Sequence, residues 1–313
     1  LIQLGKEDEK RINIHAQNEL AIRFACQNGY FEIVKYLIQL GKEEGKKIDI
    51  HAKNEFPFRC ACQNGHFEII KFLIQLGKEE KNKINIHAEN EIAFVSACQN
   101  GHFEIIKYLI QLGKEEANKI NIHAENEYAF RLACKHGHFE IIKYLIQLGK
   151  EEGNKINIHA KNEGAFRMAC YYGHLEISKF LIELSNDKLL FSKKINIHHE
   201  NEGAFRMACS NGHYEVVKWL IDISDEKKYE NSVIADFQRG FGIINIHAQN
   251  DYAFSSACDN GHFEIVKFLI DLGMKYQSPI NIAMNNYEIV KNVFQKKYYH
   301  IIDYFTSLGK NKN

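Results

Sequence analysis

The sequence predicts an all-α solenoid of seven full two-helix repeats, with a partial repeat at residues 1–11 and a degenerate capping repeat at 280–309. Three observations point there. The tetrapeptide Asn-Ile-His-Ala, or a close variant, carries its histidine at His15, His51, His87, His123, His159, His198 and His247. A second landmark, Gly-His-Phe-Glu or a variant, begins at Gly29, Gly65, Gly101, Gly137, Gly173, Gly212 and Gly261. Between them, apolar residues fall at helical rather than alternating spacing. Both landmarks advance by 36 residues through the fifth unit and then by 39 and 49, so the extra residues lie between repeats, near 186–194 and 225–242. The repeats therefore occupy 12–279, and the whole of 1–313 reads as one array in which each unit buries surface only against its neighbours.

Each unit reads as two helices. In the fourth, Asn126 is placed to cap the first helix and Glu127 puts negative charge in its opening turn. Ala129, Phe130, Ala133 and Cys134 form an apolar stripe, and Gly137 supplies a left-handed stop. From Phe139 the second helix turns Ile141, Ile142, Leu145, Ile146 and Leu148 inward and ends at Gly149. Glu140 and Lys143 form an i,i+3 pair that recurs in most units. Neither helix is long enough to hold alone, so stacking supplies the stability. At the N-terminus, LIQLG repeats residues 37–41, which reads as the tail of a preceding unit. At the other end, residues 280–309 align with 244–273 without a gap. There Ala283 replaces the histidine and Lys297-Tyr298 replace Gly-His, while Lys291, Asn292 and Asp303 suit an outer face that meets water.

Lys+Arg and Asp+Glu both number 40, a balance that argues against nucleic acid as the partner. No apolar run approaches the ~18 residues of a membrane span, so no membrane partner is expected. Seven of the eight cysteines, Cys26, Cys62, Cys98, Cys134, Cys170, Cys209 and Cys258, share one repeat position. They read as small packed apolar residues set too far apart to bridge, and free thiols in such number point to a reducing, intracellular compartment. No phosphate loop, nucleophile elbow or triad spacing is present, so neither an enzyme nor a cofactor is expected.

Residues 128–149, Y-A-F-R-L-A-C-K-H-G-H-F-E-I-I-K-Y-L-I-Q-L-G, resemble the ankyrin pattern T-P-L-H-x-A-A-x-x-G-H-x-x-I/V-V-x-x-L-L-x-x-G, and Pro57 falls on the family's proline position. Most units replace the Thr-Pro-Leu-His box with x-Ala-Phe-Arg. The period is 36 rather than about 33. A shorter hairpin and a longer loop after the second helix put the family's protruding finger in question. The Asn-Ile-His-Ala-x-Asn-Glu wording is similar to the ankyrin arrays abundant in giant viruses of amoebae. What the resemblance implies is a non-enzymatic scaffold that holds a protein partner on a concave face built from hairpins and first helices. A viral array of this kind would work in the host cytoplasm. Fold alone does not establish function.

Sixteen histidines raise a metal site as one reading. A ladder with one histidine per repeat spaces its members too widely for ligands within about 2.3 Å of one ion, which favours structural hydrogen bonding and no metal. Cys60 and Cys62 make a lone Cys-Ala-Cys, a weak redox or metal signal. Arg23, Arg59, Arg131, Arg167 and Arg206 each follow a glutamate by four residues, with Val95 and Ser255 in two units. They read either as self-neutralised Glu–Arg pairs, which the spacing favours, or as a ladder for an acidic partner.

Comparison between units separates scaffold from decoration. The position after the glutamate varies (Leu20, Phe56, Ile92, Tyr128, Gly164, Gly203, Tyr252), as does the position four further on (Phe24, Cys60, Ser96, Leu132, Met168, Met207, Ser256). Before the Gly-His landmark, Lys135-His136 and Tyr171-Tyr172 replace the common Gln-Asn. The candidate partner-binding residues are therefore Tyr128, Leu132, Lys135, His136, Met168, Tyr171, Tyr172 and Met207. The alternative is drift at tolerant positions. The insertions form a second candidate, with Leu189, Leu190 and Phe191 in one and Tyr229, Val233, Ile234, Phe237 and Phe241 in the other. Two functions stay open: an adaptor for one protein partner, or an assembly component of a larger, virus-like particle that binds itself.

Overall fold

The structure, a computed structural model, describes residues 13–187, 191–225, 243–280 and 287–310. These residues hold sixteen helices and no strand. They fall into two compact units, Leu1–Ile156 and Asn157–Asn313.

The first unit contains α1 (Ala16–Gln27), α2 (Phe31–Glu43), α3 (Ala52–Asn64), α4 (Phe67–Glu79), α5 (Ala88–Asn100), α6 (Phe103–Glu115), α7 (Ala124–His136) and α8 (Phe139–Glu151). Each first helix packs on its own second helix and on the first helix of the next repeat. The core repeats accordingly: Phe58, Phe94 and Phe130 are wholly buried, each beside an Ala-Cys step that is also buried. The second unit contains α9 (Ala160–Tyr171), α10 (Leu175–Asn186), α11 (His199–Ser210), α12 (Tyr214–Ser224), α13 (Ala248–Asp259), α14 (Phe263–Lys275), α15 (Tyr287–Gln295) and α16 (Tyr299–Lys310). Phe166, Phe205 and Phe254 are its buried counterparts. Two-helix units stacked in sequence make each unit solenoid-like, as the periodicity predicts.

The start of each first helix differs from expectation. Asn126 is not an N-cap: it has φ +56° and lies in a left-handed turn with Glu125 and Glu127. All seven repeats do the same at x-Asn-Glu, or x-Asn-Asp in the seventh, with φ between +52° and +66°. For non-glycine residues this conformation costs roughly 1–2 kcal/mol each, so side-chain contacts must hold it. The right-handed helix begins only afterwards, at Tyr128 in this repeat.

Gly149 also plays a different part. Helix α8 runs past it to Glu151, and Gly149 is buried. A Cβ there would stand 2.8 Å from the Asn154 carbonyl oxygen, because the chain folds back to donate the Asn154 N–H to Gly149. The glycine permits this approach rather than stopping the helix. The true stops precede the Gly-His histidines, where Gly101, for example, takes φ +81° as a left-handed C-cap.

In the last repeat, Lys297 takes the positive φ (+57°) that glycine supplies elsewhere. Tyr298 lies against Gly261, where a Cβ would meet its ring at 2.8 Å. Lys291 and Asp303 are exposed, while Asn292 donates to the Asp259 carboxylate at 3.1 Å. Ala283 lies outside the described residues, as do Leu189, Leu190 and all the apolar residues named in the second insertion.

Candidate partner-binding face

Two polar seams position the variable residues. In the first, the Asn121 side chain accepts the His123 main-chain N–H at 3.1 Å, and His123 Nδ1 meets Glu127 at 2.9 Å. The carboxylate also reaches the next repeat. Glu55 Oε1 accepts the N–H of Asn85 at 3.0 Å, and Glu91 Oε1 that of Asn121 at 3.0 Å. The second unit repeats the pattern with Glu202, which holds His198 at 2.9 Å and accepts from Asn245 at 3.1 Å. These carboxylates are buried, so their hydrogen bonds offset desolvation and anchor the left-handed turns.

The second seam is the Gly-His row. His66, His102 and His138 direct Nε2 at the carbonyls of Gln27, Gln63 and Gln99, at 3.0, 3.0 and 2.8 Å. In the second unit His262 meets Ser210 in the same way at 3.0 Å. Burial holds His213 below the usual histidine range, and its bond to the Tyr171 carbonyl opposes that shift. The histidines thus work as repeat-to-repeat fasteners. Among the described residues no three His, Cys, Asp or Glu side chains are grouped to hold a metal ion.

The arginine row corrects the sequence reading. The glutamates bind histidine and main chain, and the arginines turn to carbonyl oxygens instead. Arg59 donates Nε to the Asn54 carbonyl at 2.7 Å and Nη2 to that of Lys53 at 3.0 Å. The left-handed turn causes this by carrying Glu55 away to His51 while presenting its own carbonyls to the guanidinium. Arg167 departs from the row: Gly203 leaves space beside it, and its Nη1 pairs with Glu200 of the next repeat.

The variable residues lie as follows. In the first unit Tyr128 is 37% exposed, with the Arg131 guanidinium 5.2 Å from its ring centre. His136 is exposed and Lys135 half-buried, but Leu132 is only 7% exposed and offers little to a partner. In the second unit Tyr172 is 39% and Met168 37% exposed. Tyr171 is half-buried and meets Tyr172 edge-on at 4.7 Å; Met207 is half-buried. Phe24, on the same row as Leu132, is 54% exposed and escaped the sequence choice. Its aromatic identity was visible, but its exposure was not. In the first insertion, half-buried Phe191 packs edge-on against His159, whose Nε2 meets the Lys193 carbonyl at 2.9 Å.

The eight cysteines are free and buried, and burial pushes their thiols up, to about 12 for Cys26 and Cys170. Cys60 and Cys62 share this character, with the adjacent Arg59 opposing the rise at Cys60. These are packing residues. Among the described residues no helix is long and apolar enough to cross a membrane.

A helix pair closed by Gly-His and stacked through its first helix defines a class of two-helix repeat proteins. The family model described as ankyrin repeats (3 copies) matches residues 2–86, 22–121, 78–157, 132–233 and 168–277. The chain belongs to the ankyrin repeat family. It is similar to a solved ankyrin repeat family protein from Legionella pneumophila, at 20% identity over 95% of this chain and 73% of that one, with a TM-score of 0.35. Comparison with curated proteins returns no match. Ankyrin repeats are in general protein–protein interaction modules.

Proposed function

We propose that the chain is a non-catalytic scaffold that binds a protein partner through the concave face formed by its turns and first helices. The observation that carries this reading is the exposure of Met168 and Tyr172 on rows where the scaffold itself varies. Exposed aromatic and thioether side chains on a fixed framework anchor partners at low entropic cost. Tyr128, Lys135 and His136 offer the same kind of decoration in the first unit, where Leu132 is buried, and half-buried Met207 adds to it in the second. The balanced charge disfavours nucleic acid, and buried free thiols fit a reducing compartment such as the cytoplasm, a host's where the array is viral.

The test is affinity capture from cytosol with mass spectrometry, comparing the native chain with a Tyr171→Glu, Tyr172→Glu variant of equal helicity. One stoichiometric protein lost in the variant supports the scaffold reading. Self-association in both chains with no foreign protein overturns it in favour of an assembly component.

A further inference from the structure

Four arginines share one posture on the left-handed turns. In the first unit, Arg23 Nε and Nη2 donate to the carbonyls of Asn18 and Gln17, both at 2.8 Å. Arg59 does the same with Asn54 and Lys53, and Arg131 with Asn126 and Glu125 at 3.0 and 3.2 Å. In the second unit Arg206 binds Asn201 and Glu200 at 2.7 and 2.9 Å. The turn is therefore a guanidinium acceptor in four of the five repeats whose first helix supplies an arginine, the exception being Arg167, which turns Nη1 to Glu200. An aromatic ring completes it: Arg23 and Arg59 both lie over Phe56, at 5.3 and 5.9 Å.

The third repeat keeps the turn and loses the arginine. Glu89, Asn90 and Glu91 have φ of +55°, +53° and +66°, but the row position is Val95, buried and without a donor. The carbonyls of Glu89 and Asn90 thus stand where sister turns hold a guanidinium. The next repeat supplies Tyr128 in the place of Phe56, and Tyr128 carries one guanidinium, from Arg131, where Phe56 carries two. The local charge is also reversed. Glu89 and Glu125 are exposed here, where the first two repeats carry Gln17 and Lys53. Glu125 holds the repeat position of Glu200, the carboxylate that pairs with the arginine of the preceding repeat in the second unit.

We propose that the place above Val95 is a docking pocket for an arginine side chain of the protein partner. The proposal rests on the scaffold reading and names the chemistry that reading leaves open. Two main-chain carbonyls meet the guanidinium fork, the Tyr128 face stacks on its plane, and Glu125 neutralises its charge. A lysine ammonium, which has no planar fork, satisfies fewer of these contacts.

The test titrates the full isotopically labelled chain with N-acetyl-arginine amide and, separately, N-acetyl-lysine amide, following amide resonances. The expected result is saturable shifts at Glu89, Asn90 and Tyr128 with the arginine compound, at an affinity about tenfold better than the lysine compound. Val95→Arg fills the pocket from within and abolishes the shifts at unchanged helicity. Glu125→Gln combined with Tyr128→Leu weakens them, and gives a second readout should Val95→Arg unfold. Absence of saturable shifts up to roughly 50 mM, equal response to lysine, or an undiminished response in Val95→Arg overturns the proposal. Such a failure leaves the scaffold reading intact if affinity capture still returns a partner. An arginine response without any partner sinks the scaffold reading alone.

Discussion

Glu91 Oε1 accepts the main-chain N–H of Asn121 at 3.0 Å, across thirty residues of sequence. The same oxygen holds His87 Nδ1 at 2.8 Å. One buried carboxylate therefore fixes a turn, a histidine and the neighbouring repeat. Charge-assisted bonds of this kind contribute roughly 1.5–3 kcal/mol, and removing the acceptor strands a buried N–H. Glu91→Ala is expected to cost about 3 kcal/mol, and Glu91→Gln, which retains an acceptor, about half that. Urea denaturation followed by circular dichroism measures both; equal losses would contradict the role of the charge.

Gly149 reverses an ordinary rule. Alanine in place of a helix-interior glycine stabilises by about 1 kcal/mol. Here the added Cβ would meet the Asn154 carbonyl oxygen at 2.8 Å, a contact that forces the returning chain outward. Gly149→Ala is expected to destabilise by about 2 kcal/mol, breaking the Asn154 to Gly149 hydrogen bond. A raised melting temperature would show that the loop moves aside freely.

The repeats were legible because their landmarks recur, and the core because Ala129, Phe130, Ala133 and Cys134 follow helical spacing. The left-handed turn was not. Asn126 suits a left-handed residue as well as a cap, and sequence does not separate the two. Gly149 read as a helix stop because the approach of Asn154 is a loop contact without a periodic signature. On the candidate face, variation between repeats marked Met168 and Tyr172, both exposed. It also marked Leu132, which varies yet is buried. Variation reports freedom from the scaffold pattern, whereas exposure depends on neighbours one repeat away.

Cysteine burial sets an alkaline limit. Cys26 and Cys170 are pushed up by burial to about 12 from an ordinary 9; the neighbouring Cys60 adds to the rise at Cys26, and the Ser178 hydroxyl opposes it at Cys170. Between these values the unfolded chain has lost thiol protons that the folded chain keeps. The raised folded pKa therefore contributes stability that is whole below pH 9 and falls as pH rises towards 12. Each thiol's contribution falls by up to about 1.4 kcal/mol per pH unit. In a Cys26→Ala, Cys170→Ala variant the loss of unfolding free energy between neutral pH and about pH 10, read from urea denaturation, should be smaller by roughly 3 kcal/mol. An identical pH dependence in both proteins would place the alkaline sensitivity elsewhere.

The partnering of Glu55 provides a test of the left-handed turn itself. Sequence spacing pairs it with Arg59, four residues on, whereas the structure pairs it with His51 at 2.9 Å and with the Asn85 N–H. Arg59 spends its donors on the carbonyls of Asn54 and Lys53. Two double-mutant cycles distinguish the arrangements, since coupling reports direct interaction once single effects are subtracted. The His51→Ala, Glu55→Ala cycle should give a coupling of at least about 1 kcal/mol. The Arg59→Ala, Glu55→Ala cycle should stay within about 0.5 kcal/mol of additivity, because those side chains share no bond. The single Arg59→Ala change should still cost about 1 kcal/mol by releasing two carbonyls of a turn that resists its own conformation. A strong Arg59–Glu55 coupling would restore the simple helical pair and remove the left-handed turn as the organiser of this face.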